Sequence, residues 1–319
     1  MKMKKGLLLA GAVLLSVVLT ACGGQSKKEA SSDDGKIQVE TTFYPMYEFT
    51  KEVVGNKGDV DLIIPAGTEP HDFEPSAKDL AKISKADVFV YNSSALEKWA
   101  SDIDSVDKDK TEVIEASKGI TLMDGVAEEE DGSDDSSSIE ASTDANTMDP
   151  HVWLDPVLAI KEVETIRDQL SKKYPDDKAT FEKNAASYIK KLKALDQDYQ
   201  TAFKDVSNKS FVTQHAAFGY LAKQYGLTQE AIAGISPDQE PSASRLSELK
   251  EYVEKNNVQV IYFEENASSK VAETLASETG VKLTVLNPLE SLTNKQIKNG
   301  ETYLTVMQDN LNALKESVK

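Results

Sequence analysis

From residue 37 onward, short runs of β-branched and aromatic residues alternate with stretches of helical periodicity, in two series divided by one long helical segment. A parallel strand pair needs a crossover, and a helix is the usual one, so each series predicts a mostly parallel sheet covered by helices. In the first series the strand candidates are Ile37–Phe43, Val60–Ile64, Asp87–Tyr91 and Thr111–Ile114. A helix is expected over Met46–Val54, and Ser76 caps another that runs through Ile83. In the second series, strands are expected at Ser210–Gln214, Ile232–Ile235, Val258–Phe263 and Val281–Leu286, with helices near 216–225, 242–256 and 268–279. The dividing segment opens at Pro175-Asp176 and places Phe181, Ala185, Tyr188, Leu192, Leu195, Tyr199 and Phe203 at steps of three or four, on one helical face. Unbroken from Asp176 to Lys204 it would be about 43 Å long. A coiled-coil strand would show the same spacing, but the chain has no other heptad run, so one helix packed along both series fits better.

The expected architecture is therefore α/β, with two (β/α) lobes of mostly parallel sheet joined by one long rigid helix. The boundaries are 37–174 for the N-terminal lobe, 175–205 for the linking helix and 206–319 for the C-terminal lobe. Some 280 residues are enough for two lobes of ordinary size.

The first 36 residues read differently. Lys2, Lys4 and Lys5 precede an apolar run from Leu7 to Leu19, the length of a signal-peptide core and too short to span a bilayer. The run ends in Leu19-Thr20-Ala21-Cys22-Gly23-Gly24, with small residues before the sole cysteine of the chain. Residues 1–21 are expected to be a lipoprotein signal peptide and Cys22 the acylated anchor, since a lone exported thiol has no internal partner. Residues 22–36, rich in Ser, Lys, Asp and Gly, read as a flexible tether. The predicted location is extracytoplasmic, at the cell membrane through the lipid.

The full chain carries a formal charge of −18. Loss of the signal peptide leaves 33 basic against 54 acidic residues, a formal −21. Such a balance argues against nucleic acid and against docking on an anionic bilayer surface. Much of the acid is concentrated at about 124–149, where Asp and Glu alternate with Gly and Ser and no core can form; a mobile, solvated insertion in the N-terminal lobe is expected.

The chain has three histidines, His71, His151 and His215. A single histidine is usually a satisfied core or surface residue, but the positions of these three point elsewhere. His71 follows the Pro65–Pro70 loop just past the strand Val60–Ile64, and His215 directly follows Ser210–Gln214. His151 enters the helix Leu158–Tyr174 from Asp149-Pro150-His151-Val152-Trp153-Leu154-Asp155-Pro156. In open parallel sheets, ligands bind beyond the carboxyl ends of the strands. Three imidazoles suit zinc, with a carboxylate to complete a tetrahedron. The candidates for that fourth place are Glu290, after the Asn287-Pro288-Leu289 turn, and Glu264 or Glu265, at the end of Val258–Phe263; Glu290 is preferred. Glu69, Asp72 and Glu74 flank His71 and are expected to hold the loop or orient the ring.

These motifs carry a resemblance. From about Ile37 to Lys319 the chain is similar to the zinc-binding lipoprotein subunits of bacterial metal-uptake ABC transporters, the ZnuA-like cluster A-I family, close to its AdcA type. The marks are Pro65-Ala66-Gly67-Thr68-Glu69-Pro70-His71-Asp72-Phe73-Glu74-Pro75, the segment Asp149–Pro156, Thr213-Gln214-His215-Ala216-Ala217-Phe218, Glu264-Glu265 and Asn287-Pro288-Leu289-Glu290. The resemblance implies Zn2+ held between two lobes by His71, His151, His215 and Glu290, as transported substrate rather than cofactor. It also implies membrane permease and ATPase subunits as partners, a lipid bilayer reached through Cys22, and a monomer. The manganese branch of the family has a carboxylate at the position of His215, so histidine there points to zinc. Three departures stand out. The insertion of many members is histidine-rich, whereas here it is acidic; some members continue into a second zinc-binding domain, which is not expected here; and Asn92-Ser93-Ser94-Ala95-Leu96-Glu97-Lys98-Trp99 stands where the family has an Asn-Gly turn.

Two other classes share the donor set. Catalytic zinc also takes three histidines, with an open position for water, but the chain has no His-Glu-x-x-His element and the nearby glutamate is needed as a ligand. No enzyme is expected. A surface adhesin with a structural metal differs in reversibility: such a site unfolds without its metal, whereas a carrier must be folded with and without it.

Overall fold

The computed structural model describes residues 35–100, 103, 106–107, 109–125, 148–238 and 241–319. The predicted signal peptide, Cys22, all but the last two residues of the tether and most of the acidic insertion lie outside these residues.

The chain begins with β1 (Ile37–Thr41), α1 (Tyr44–Val54), β2 (Gly58–Leu62), α2 (Ala77–Ile83), β3 (Val88–Tyr91) and β4 (Glu112–Glu115). These strands form one sheet in the order β2-β1-β3-β4, with every pair parallel. Central β3 is buried at all four positions, as expected of a strand covered on both faces, while edge strand β2 alternates half-buried Val60 with exposed Asp59 and Asp61. Ser76 caps α2 as predicted, accepting from the Asp79 backbone while the Asp79 carboxylate accepts from the Ser76 backbone.

A two-stranded antiparallel ribbon follows, β5 (Met123–Asp124) with β6 (Met148–Asp149). Then come α3 (Pro156–Lys173), started by Pro156 and capped by Asp155, and α4 (Lys178–Phe203). Pro175–Asp177 forms a single 3-10 turn, so the linking helix proper begins two residues after the predicted Asp176. Its 26 residues span about 39 Å. All seven residues of the predicted apolar face are buried, joined by Ile189.

The second sheet is built from β7 (Ser210–Thr213), α5 (Gly219–Tyr225), β8 (Thr228–Ala231), α6 (Ala243–Lys255), β9 (Val260–Phe263), α7 (Lys270–Thr279) and β10 (Lys282–Val285). Its order is β10-β9-β7-β8, again all parallel. Helices α8 (Asn294–Asn299) and α9 (Tyr303–Leu314) close the chain. One strand lies earlier than predicted, at Thr228–Ala231 instead of Ile232–Ile235. β8 is an edge strand and tolerates the polar Thr228-Gln229-Glu230 run, while Ile232 and Ala233 continue its hydrogen bonding to Thr213 and Gln214 and are buried. Their apolar character marks depth, not strand.

A single contiguous core runs from Val39 and Phe49 through Ile166, Tyr188, Leu192 and Tyr199 to Phe211, Leu286, Tyr303 and Leu311. It joins the inner faces of both sheets to α3, α4 and α9. Smaller clusters cover the opposite faces, around Phe89 and Ile83 in the first sheet and Ile261 and Leu249 in the second. Both sheets are thus buried twice over, leaving their strand ends as the place for polar chemistry. Among the described residues, no helix is long and apolar enough to cross a membrane.

Candidate metal centre

Each of the four singled-out side chains follows the carboxyl end of a strand. His71 sits in the loop after β2, where Gly67 adopts φ +76° and its N–H donates to Ser291 Oγ at 2.7 Å, tying the loop to the second half of the chain. Glu69 accepts from the His71 backbone N–H at 3.1 Å, so it holds the loop, as expected. His151 comes two residues after Asp149 of β6. The Asp149 carboxylate accepts from the His151 backbone N–H at 2.9 Å and lies 2.8 Å from Nδ1. Tyr220 of α5 braces this ribbon, its hydroxyl donating to the Asp149 carbonyl and accepting from the Met123 N–H, each at 2.7 Å. His215 follows β7, with its carbonyl accepting from Thr213 Oγ1 and Gln229 Nε2. Behind the ring, Glu264 Oε1 lies 2.5 Å from Nδ1. Glu290 ends a turn in which Leu289 takes φ +58°, unusual for a residue with a side chain. That turn is fixed by Asn287 and Asn310, which exchange backbone and side-chain hydrogen bonds at 2.9 and 2.7 Å.

The four groups converge. Glu290 Oε1 lies 3.2, 3.1 and 3.1 Å from Nε2 of His71, His151 and His215. The His151 Nε2 is 3.2 Å from that of His71 and 3.4 Å from that of His215. Donors bound at 2.0–2.1 Å on the corners of a tetrahedron stand about 3.3 Å apart, so the cluster has the size of a small-cation cage. All four candidate donor atoms fall within 4.8 Å of one another. His151 and His215 are fully buried, Glu290 is 4% exposed, and 9% of the His71 side chain reaches solvent.

The surrounding carboxylates decide which nitrogens face inward. With Nδ1–H of His151 donating to Asp149, and that of His215 to Glu264, each neutral ring turns an Nε2 lone pair toward Glu290. Lone pairs and a carboxylate at 3.1–3.4 Å repel unless a cation or protons stand among them. The proton affinities show the same tension. Burial pulls His215 down, but the charges of Glu264 and Glu290 outweigh it and hold its pKa well above the ordinary value. His151 is likewise raised, as its bonds to Asp149 and Glu290 overcome burial. His71 is lowered, chiefly by burial. Glu290, despite a burial that would raise it, is held well below the carboxylate range by His215 and its other imidazole partners. Burial, with Glu290 nearby, pushes Glu69 up to about 9.

Of the alternatives for the fourth position, Glu264 turns its carboxylate to the outer nitrogen of His215, and Glu265 lines a separate cavity with Asn287, Gln296 and Glu301. Neither joins the cluster. The buttressing by Asp149 was not foreseen, although an acid two residues before a histidine at a strand end was a visible signal.

The model of the family described as ZnuA, zinc-uptake complex component A, periplasmic, matches residues 39–317. The chain belongs to this family. It is 55% identical over 317 residues to the zinc-binding lipoprotein AdcA of Streptococcus pneumoniae, covering 99% of this chain and 61% of AdcA. It is 52% identical over 315 residues to the high-affinity zinc uptake system protein ZnuA of Bacillus subtilis, covering 98% and 97%. The chain thus spans about three fifths of the length of AdcA and nearly all of ZnuA. A crystal structure of the Zn(II)-bound ZnuA-like domain of S. pneumoniae AdcA superposes with a TM-score of 0.75 at 54% identity, covering 89% of this chain and 99% of that one. ZnuA-family membership agrees with the expected α/β architecture of two parallel sheets and a long helix.

Proposed function

We propose that the chain is an extracytoplasmic zinc-binding lipoprotein that captures Zn2+ between its two sheets and delivers it to an ABC permease and ATPase for uptake. His71, His151, His215 and Glu290 are the ligands. The observation that carries this reading is the convergence of three imidazole nitrogens and one carboxylate oxygen at 3.1–3.4 Å in a site almost closed to solvent. Nitrogen-rich donor sets favour zinc over the harder manganese ion. The family and the names of its zinc-binding relatives support the same reading. The role is binding and release, not catalysis: Glu290 faces the imidazoles as a fourth donor and leaves no carboxylate in the cluster to serve as general base.

The organisation proposed with it is a signal peptide at 1–21, acylation of Cys22, a tether to residue 36, lobes at 37–174 and 206–319, and a linking helix at 175–205. The protein acts as a monomer at the membrane surface, held by its lipid. Elemental analysis after equilibration with equal zinc and manganese tests the central reading. The expected result is one zinc per chain, lost on His151→Ala, with a folded protein in both the loaded and the stripped state. Loading with manganese instead, or unfolding on removal of the metal, would overturn it. For the anchor, Cys22→Ser is expected to abolish incorporation of labelled fatty acid and leave zinc binding intact.

A further inference from the structure

His151 and Glu290 are 139 residues apart in the chain, yet their donor atoms stand 3.1 Å apart. The donors alone attract or repel according to whether a cation or protons lie between them, so a fixed separation calls for a brace that depends on neither. One side chain bridges the segments directly. Trp153 lies two residues after His151, its ring 5.1 Å from the His151 ring, and it is fully buried. Its indole N–H donates to the carbonyl of Pro288 at 2.8 Å, two residues before Glu290.

Both ends of this bridge are stiff. Phe43 of the first half meets the Trp153 ring edge-on at 4.7 Å. The Trp153 carbonyl accepts from the Tyr303 hydroxyl at 2.6 Å, and Tyr303 is itself anchored where α9 begins. Its backbone N–H donates to Glu48 Oε2 at 2.7 Å, and the same buried carboxylate accepts the hydroxyl of Tyr188 on α4 at 2.8 Å. On the receiving side, Pro288 has a fixed φ, and Leu289 is buried at φ +58° with its N–H on Asn287 Oδ1 at 2.7 Å. A displacement of the Pro288 carbonyl is therefore carried into Glu290 instead of being absorbed by the turn.

We propose that Trp153 is a positioning residue for the cation site: its hydrogen bond to Pro288 sets the distance between His151 and Glu290 and keeps the cage too small and too dry to admit further ligands. The proposal rests on the zinc reading above. Cations content with four donors profit from such a cage, whereas those that require six must draw in water or both oxygens of Glu290. Relaxing the bridge costs zinc affinity and narrows the preference for zinc over manganese together.

The test uses the whole chain with Co2+ as a spectroscopic probe, whose visible absorption is intense when four-coordinate and weak when six-coordinate, alongside zinc–manganese competition. Trp153→Phe keeps the ring contacts and removes the donor. It is expected to lower zinc affinity about tenfold, the low end of the range for groups that support a metal ligand, and to weaken the Co2+ absorption. Tyr303→Phe, which frees the Trp153 carbonyl, is expected to shift both readouts in the same direction by less, and it decides the matter if Trp153→Phe does not fold. Leu170→Ala, a core change in α3 away from the bridge, is expected to lower Tm while leaving the spectrum unchanged, separating positioning from stability. Wild-type protein with intense absorption and a folded Trp153→Phe variant with the same spectrum and metal preference would overturn the proposal alone. Wild-type protein that binds neither Co2+ nor Zn2+ would overturn the zinc reading, and this proposal with it.

Discussion

His151 and His215 differ from His71 in what stands behind the ring. The first two are fully buried, each with a carboxylate at its outer nitrogen, Asp149 at 2.8 Å and Glu264 at 2.5 Å. Among the described residues, no side chain is hydrogen-bonded to the outer nitrogen of His71, whose loop is tied through backbone groups to Glu69 and Ser291. The locked rings present their inner nitrogens without a search over rotamers or tautomers, so little order is lost when a cation arrives. The contrast teaches that one cluster can combine a preformed half with a half that is ordered by its loop alone.

The hardest way to break this comparison is to delete the rings. In wild type, zinc at a thousandfold excess over its Kd should stabilise the fold by about 4 kcal/mol. His151→Ala and His215→Ala are expected to remove nearly all of that gain, His71→Ala most of it, and Glu290→Ala less, since water takes a vacated fourth position. Scanning calorimetry of the four variants with and without zinc checks the order. A histidine variant that kept the full shift would be a core histidine, not a ligand.

Acid should act next in size. In the metal-free protein His151 and His215 hold their protons above the ordinary imidazole range. Their contribution to metal-free stability is complete below the unfolded pKa of about 6.5 and is lost as pH rises through the elevated folded values. Zinc must displace those same protons, so its affinity falls on acidification by about 1.4 kcal/mol per pH unit for each proton released. The Tm of the metal-free protein should therefore drop as pH is raised above 6.5, while the increment due to zinc grows. Parallel pH profiles of the two forms would contradict the assignment.

A finer cut removes the carboxylates and leaves the rings. Asp149→Asn and Glu264→Gln are each expected to weaken zinc binding by about ten- to a hundredfold, measured by chelator competition. Glu69→Gln, which keeps an acceptor for the His71 backbone N–H, is expected to cost several-fold at most. Equal losses in all three would erase the distinction between locked and unlocked rings. Smallest of all should be the deletion of residues 128–146. With no histidine or cysteine there, equilibrium zinc affinity should stay within about twofold, and only capture at low zinc should slow through loss of local negative charge. A loss as large as that of His71→Ala would assign a ligand to the insertion.

Much of this arrangement was legible in the sequence where burial is periodic. The α4 face and the interior strands β3, β7 and β9 follow from local pattern because their side chains are buried, and the exposed Ser76 follows as a cap from its hydroxyl acceptor. β8 escaped because an edge strand need not be apolar, and the buried Ile232 drew the expectation four residues along. The three histidines and Glu290 could be singled out from strand ends and turns. What could not be read were choices between equivalent groups at long range. Nothing local says that Glu264 serves the outer nitrogen of His215 while Glu290 serves the inner ones. Nor does it say that the Trp153 indole finds a carbonyl 135 residues away. Those pairings exist only after the two sheets have been brought together by the shared core.

The β5–β6 ribbon has a consequence for engineering. Met123 pairs with Asp149 and Asp124 with Met148, so residues 124 and 148 stand side by side at the end of a stem that Tyr220 pins to α5. Such a stem is a socket: a fluorescent domain or an affinity module grafted between those residues would be joined to the scaffold at two adjacent points. One of its attachment points would lie a single residue from Asp149, the buttress of His151, close enough for strain on that imidazole to be read out as light.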